Sequence, residues 1–160
     1  MNFPILSSLI LLPLIGALFI LISRSSDKSN YQNSKYVALF VSFANFFVSI
    51  YLWYIFDPNT SDFQFVENRL WIVGFINYKV GIDGISILFI VLTTLITPLC
   101  IVSVNKSINT KLKEFLIAIL VMESLMIGVF CSLDLVIFYL FFEGGLIPMF
   151  LIIGICGGSR

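Results

Sequence analysis

The run LVIFYLFFEGGLIPMFLIIGIC, residues 135–156, decides the fold, because its 22 residues hold one carboxylate, Glu143, and no lysine or arginine. A hydrocarbon layer about 30 Å thick takes about 20 apolar residues of helix. The run has that length. It is continuous rather than alternating, so it reads as a helix that crosses a bilayer and not as a barrel strand. Four more segments of the same kind lie upstream, at about 115–133, 84–104, 36–56 and 3–23. Residues 1–160 are therefore expected to form a single all-α membrane domain with five transmembrane helices and lipid as its surroundings.

Composition supports this and removes other classes. Hydrophobic residues make up 59% of the chain and charged residues 11%, against about 25% charged in soluble domains. Nine basic and nine acidic side chains cancel, so no nucleic acid partner is expected. Histidine is absent. That takes away the commonest metal ligand, the usual general base at neutral pH and any Ser-His or Cys-His catalytic arrangement. Cys100, Cys131 and Cys156 are far apart in apolar runs and suggest neither a disulfide framework nor a metal site. They read as buried thiols. Neither a metal nor a cofactor is expected in this chain. Met1-Asn2-Phe3-Pro4 lacks a basic region and a cleavage site, so the first apolar run is expected to be retained.

The connectors carry the orientation. The first, Arg24 to Lys35, holds Arg24, Lys28 and Lys35 against Asp27, and the third, Asn105 to Lys113, holds Lys106, Lys111 and Lys113. The second, Asp57 to Asp83, has Arg69 and Lys79 against Asp57, Asp62, Glu67 and Asp83, and the fourth is little more than Asp134. Positive-inside counting puts the first and third inside, with the N-terminus outside and the C-terminus inside. The second connector is long and partly alternating through Trp71, Val73 and Phe75 around Gly74, which predicts a short extracytoplasmic β-hairpin. It either lies at the membrane interface or docks on a neighbouring subunit.

Two carboxylates fall inside the spans: Glu123 in the fourth and Glu143 in the fifth. Ionised at mid-membrane, each costs about 2.5–3.5 kcal/mol, so such groups face protein or water and mark ion paths by default. For each, the alternative is a protonated side chain hydrogen-bonded between helices, which fixes packing. Gly144, Gly145 and Pro148 follow Glu143. Pro148 cannot donate to the Gly144 carbonyl, so a kink and a hydratable carbonyl are expected beside the carboxylate, while the glycines permit close helix contact. Apolar burial favours the neutral acid and a nearby cation favours the carboxylate. No lysine or arginine lies inside any of the five spans, so such a cation is expected to come from another polypeptide. In the third span Pro98 frees the Thr94 carbonyl, and the hydroxyls of Thr93, Thr94 and Thr97 are placed to satisfy it. Asp83 is a candidate N-cap for the third helix. Asp134 is one for the fifth, and also sits at the outer mouth of any path past Glu143.

Three stretches, Val80-Gly81-Ile82-Asp83-Gly84-Ile85-Ser86, Ser132-Leu133-Asp134-Leu135 and above all Phe141-Phe142-Glu143-Gly144-Gly145-Leu146-Ile147-Pro148-Met149-Phe150, resemble NADH dehydrogenase subunit 4. This is an antiporter-like family of respiratory complex I, and the resemblance runs from the first helix to the last residue. It implies that Glu143 is the fifth-helix glutamate of a proton-pumping unit, paired with a lysine on a seventh helix. It implies no cofactor here, because redox groups and quinone lie elsewhere in such complexes. Glu123 matches no residue the family requires. Family members continue through further helices, including broken seventh and twelfth helices that carry lysines, whereas this chain holds five spans. A split subunit is expected, with the C-terminal remainder on a separate polypeptide and other complex I membrane-arm subunits as partners; truncation is the alternative. The resemblance and the Phe- and Ile-rich, His-free composition suggest the mitochondrial inner membrane, with the C-terminus on the matrix side, or else a bacterial plasma membrane.

The expected function is thus a share in coupling NADH:ubiquinone oxidoreduction to proton translocation, as part of an enzyme complex and with no bond chemistry in this chain alone. Glu143 is the main site, with Glu123 and Asp134 as secondary candidates and Pro98 and Pro148 as helix kinks. A purely structural assembly subunit and a part of a cation/proton antiporter are the competing readings.

Overall fold

A computed structural model describes residues 3–23, 28–72, 76–104 and 112–156. Its elements in chain order are α1 (Ile5–Ile22), α2 (Lys28–Ile55), β1 (Gln64–Ile72), β2 (Ile76–Ile82), α3 (Gly84–Val102), α4 (Leu112–Cys131) and α5 (Leu135–Cys156). All five helices are long and apolar enough to cross a membrane, and the fifth has the bounds that its sequence implies. The largest difference is at α2, which begins at Lys28, well before the apolar stretch opens. Much of the polar first connector is therefore helical; Ser, Asn, Gln and Lys are all tolerated in a helix whose backbone is hydrogen-bonded internally. Arg24 and Asp27 lie outside the described residues, as do Lys106 and Lys111.

α4 is the central helix and packs against each of the other four. α5 packs chiefly on α4 and touches the hairpin, and it is the least enclosed of the five. Lipid tails are as apolar as leucine, so close packing and interhelical hydrogen bonds hold such a bundle rather than hydrophobic exclusion. The sequence supplies both. Along α2 the buried side chains among the described residues are Ser34, Ala38, Ser42, Asn45, Ser49 and Leu52, all small or polar except Leu52 and spaced three or four apart on one helix face. Gly16 of α1 lies directly against Val41 of α2.

The β-hairpin between α2 and α3 is present and antiparallel, with Glu67 opposite Val80 and Arg69 opposite Tyr78. Val73, Gly74 and Phe75, where the turn is expected, lie outside the described residues. The register slips between Gln64 and Glu67, and Phe65 there has φ 55°. A bulky residue in that left-handed region marks a bulge that bends the strand. The base of the hairpin docks on its own chain. Leu133 N–H donates to the Lys79 carbonyl at 2.9 Å, Val80 bridges to Ser132, and Gly81 packs against Leu133. Trp71 points outward and is exposed.

The opposite end is tied by cations. Lys113 Nζ donates to the Ser23 carbonyl at 2.7 Å and the Leu21 carbonyl at 3.4 Å, and Lys35 Nζ reaches the Val104 carbonyl at 3.4 Å. Each ammonium sits at a helix C-terminus, where unpaired carbonyls and the helix dipole favour positive charge.

The core is layered. One apolar cluster, at the hairpin end, contains Leu9, Leu52, Ile82, Ile90 and Ile127; the other, at the lysine end, contains Ala17, Ala38, Ile101, Leu116 and Leu120. Between them in each chain segment come Pro13, Asn45, Thr94 and Glu123. A buried polar belt therefore crosses the bundle at mid-height.

Candidate functional site

Glu123 and Glu143 lie at the same depth. Glu123 precedes the end of α4 at Cys131 by eight residues, and Glu143 follows the start of α5 at Leu135 by eight, about 12 Å in each case at 1.5 Å per residue. Between those helix ends, Asp134 accepts from Val136 N–H at 2.8 Å through its carboxylate and from Phe138 N–H through its carbonyl, as an N-terminal cap of α5 does. Asp83 caps α3 in the same way: its Oδ1 accepts from Ser86 N–H at 2.8 Å, and that bond holds its carboxyl below the usual carboxylate range.

The two glutamates have opposite surroundings. Glu143 is exposed on the outer flank of α5, with no hydrogen-bond partner among the described residues. Exposed apolar side chains flank it: Phe142, Leu146, Ile147 and Phe150. The other side of α5 faces α4, where Phe141 lies against Gly128 and Gly144 approaches Leu125. Pro148 is buried. A bare carboxylate on a lateral apolar face is costly against acyl chains.

Glu123 is only 2% exposed. Its Oε1 accepts from Asn45 Nδ2 at 2.9 Å, joining α4 to α2. The rest of the belt is also bonded across helices: Ser49 and Thr94 hydroxyls lie 2.7 Å apart, and Ser124 donates to the Ile10 carbonyl at 2.6 Å. That carbonyl is next to the one Pro13 leaves without a donor. The structure thus joins Glu123 to α2, and brings neither Glu143 nor Asp134 into contact with it.

Thr93, Thr94 and Thr97 differ from expectation. Their hydroxyls donate to the carbonyls of Phe89, Val91 and Thr93, not to that of Thr94, which Pro98 frees. Back-bonding to the preceding turn is the shortest reach for a helical hydroxyl, and it wins here.

A second polar contact had no counterpart in the sequence reading. Glu67 of the hairpin accepts from both the N–H and the hydroxyl of Ser7, and Tyr78 OH lies 3.1 Å from the same hydroxyl. Pro4 offers no side-chain cap to α1, so a carboxylate from another element takes that place at the positive end of the helix. Burial pushes the Tyr78 phenol up from its ordinary value, against the lowering effect of its bond to Ser7.

No protein-family model matches the chain. Individual proteins do, along essentially all of it. NADH-quinone oxidoreductase subunit M of Rhodobacter capsulatus is 54% identical over 157 residues, covering 98% of this chain and 30% of that protein. NADH-ubiquinone oxidoreductase chain 4 of Marchantia polymorpha is 46% identical over 156 residues, covering 97% and 31%. Subunit M of Rickettsia prowazekii is 43% identical over 162 residues, covering 100% and 33%. The chain spans about a third of the length of these relatives.

Proposed function

We propose that this homologue of NADH-quinone oxidoreductase subunit M and NADH-ubiquinone oxidoreductase chain 4 is the N-terminal, five-helix part of an antiporter-like module that couples NADH:quinone oxidoreduction to proton translocation. It acts as a subunit of that enzyme and performs no bond chemistry itself. Relatives of mitochondrial and bacterial kinds support an inner or plasma membrane, and the lysines at the loop end of the bundle favour the matrix or cytoplasmic side for that end.

The observation that carries the reading is Glu143 exposed on an apolar flank at mid-depth. Lipid cannot be its environment at acceptable cost, so protein covers this face of α5. That protein brings a cation, because the described lysines of these helices, Lys35 and Lys113, sit at the loop end on helix-terminal carbonyls. The covering segment belongs to residues outside these 160, on a second polypeptide or a continuation of this one, and neighbouring membrane-arm subunits complete the surroundings.

Chemically, a carboxylate facing a mobile or switchable cation is a two-state proton site. With the cation close, the ionised form is favoured; with it withdrawn, the carboxyl takes a proton. Redox chemistry elsewhere in the complex drives translocation by changing the balance between those arrangements. Asp134, at the hairpin end of α5, adds negative charge at the entrance to that face.

Replacing Glu143 with Gln in the assembled complex tests this. The expected result is normal abundance with proton translocation lost. Lower abundance with unchanged translocation per complex would make Glu143 a packing residue, and sodium-dependent transport without NADH oxidation would select an antiporter instead.

A further inference from the structure

In the buried belt, two side-chain atoms have no partner among the described residues: Asn45 Oδ1 and Glu123 Oε2. They belong to the two residues already joined by the Nδ2–H to Oε1 bond. Their neighbours are satisfied: Ser124 by the Ile10 carbonyl, Ser49 and Thr94 by each other, and Ser42 by the Leu39 carbonyl at 2.9 Å. An amide oxygen only accepts, and so does every oxygen of an ionised carboxylate. With Glu123 ionised, two buried acceptors sit on one pair of side chains with no donor for either.

One proton corrects both. A carboxylic acid donates from one oxygen and accepts at the other, and a carboxamide donates from nitrogen and accepts at oxygen, so the two groups are complementary. We propose that Glu123 is a proton-binding site, holding its proton as a neutral acid paired with Asn45 through two bonds, Nδ2–H to Oε1 and Oε2–H to Oδ1. The site is distinct from Glu143 and does not rest on the role given to that residue. The pairing ties α2 to α4 through the middle of the bundle, and its ligand is a single proton.

The charges around it agree. α1 offers no titratable side chain at all. On α2 the described titratable side chains are Lys35 and Tyr36 at the loop end and Tyr51 and Tyr54 toward the hairpin; on α3 there is only Cys100. α4 itself has Lys113 and Glu114 in its first turn and Cys131 at its end, and α5 carries Tyr139 and Glu143, both exposed. Glu67, Arg69, Tyr78 and Lys79 are on the hairpin, with Glu67 bonded to Ser7. No described cation reaches Glu123. A buried ion without a partner charge is the arrangement that proteins avoid, and neutralisation is how they avoid it.

The test uses the assembled complex in native membranes and two variants. In Glu123→Gln, the new amide makes the same two bonds with no titratable proton, so the complex is expected at wild-type abundance. Wild-type-minus-variant infrared spectra are then expected to contain a carboxylic acid C=O stretch. In Asn45→Ala the acid loses its acceptor, and that band moves to higher wavenumber. Failure of the Gln variant to accumulate, a difference spectrum showing an ionised carboxylate and no acid band, or a band unmoved by Asn45→Ala would each overturn the proposal.

Discussion

Gly128 of α4 and Phe141 of α5 touch so closely that a Cβ at position 128 would lie 2.6 Å from Phe141 Cδ1. This contact sets the spacing of the two helices two residues before Glu143, so it also fixes where the carboxylate is presented. Gly128→Ala is expected to destabilise by about 1–3 kcal/mol, the usual cost of overpacking. Removing the ring as well, in Gly128→Ala with Phe141→Leu, should recover part of that loss. Thermal inactivation of the purified complex measures it, and additive losses would show that the two positions do not meet.

The second prediction concerns the hairpin. Glu67 caps α1 from a different element, and its bonds to Ser7 are charge-assisted. Such bonds contribute about 1.5–3 kcal/mol. Glu67→Gln should keep part of this and Glu67→Ala little, so protease cleavage between α2 and α3 should quicken in that order. Equal cleavage in all three proteins would mean that the hairpin is held by the Lys79–Leu133 and Val80–Ser132 contacts alone.

Asp83 gives a pH dependence. Its folded carboxyl titrates below the ordinary Asp value because Ser86 N–H bonds to the charged form. Between the two values the unfolded state binds more protons, so stability rises with pH across that window. The contribution is fully present above the ordinary value of about 3.9 and is lost as pH falls through the lowered one. Asp83→Ala should cost about 0.5–2 kcal/mol at neutral pH, as loss of an N-cap does, and the difference from wild type should shrink on acidification. A melting difference that stays constant down to acid pH would count against the cap.

Ser49→Ala separates the belt's weak links from its strong one. Thr94 keeps its own bond to the Val91 carbonyl when Ser49 is gone, so the loss should be near the average for interhelical bonds in membranes, about 0.6 kcal/mol. Asn45→Ala, by contrast, strips Glu123 of its protein partner and should cost more. Similar melting temperatures for the two variants would refute that ranking.

The spans were legible because a run of some 20 apolar residues has one physical solution in lipid, and Asp83, Asp134 and the hairpin were legible from local turn and cap chemistry. The start of α2 was not, since helix formation costs a polar stretch little and hydropathy does not see it. The belt was half legible. Glu123 stood out as a charge, but Asn45 passed unnoticed inside an apolar segment, although Ser42, Asn45 and Ser49 follow a three-then-four spacing that marks one polar face. Which helix that face meets depends on packing that the sequence does not display. Glu67 capping α1 across 60 residues was beyond any local signal.

The most direct test of the central claim is the number of protons translocated per NADH oxidised in sealed membrane vesicles, compared for wild type, Glu143→Gln and Glu143→Asp at matched complex abundance. A titrating carboxyl on the outer flank of α5 predicts that the ratio collapses with Gln and is at least partly restored with Asp. A wild-type ratio in the Gln variant would contradict it.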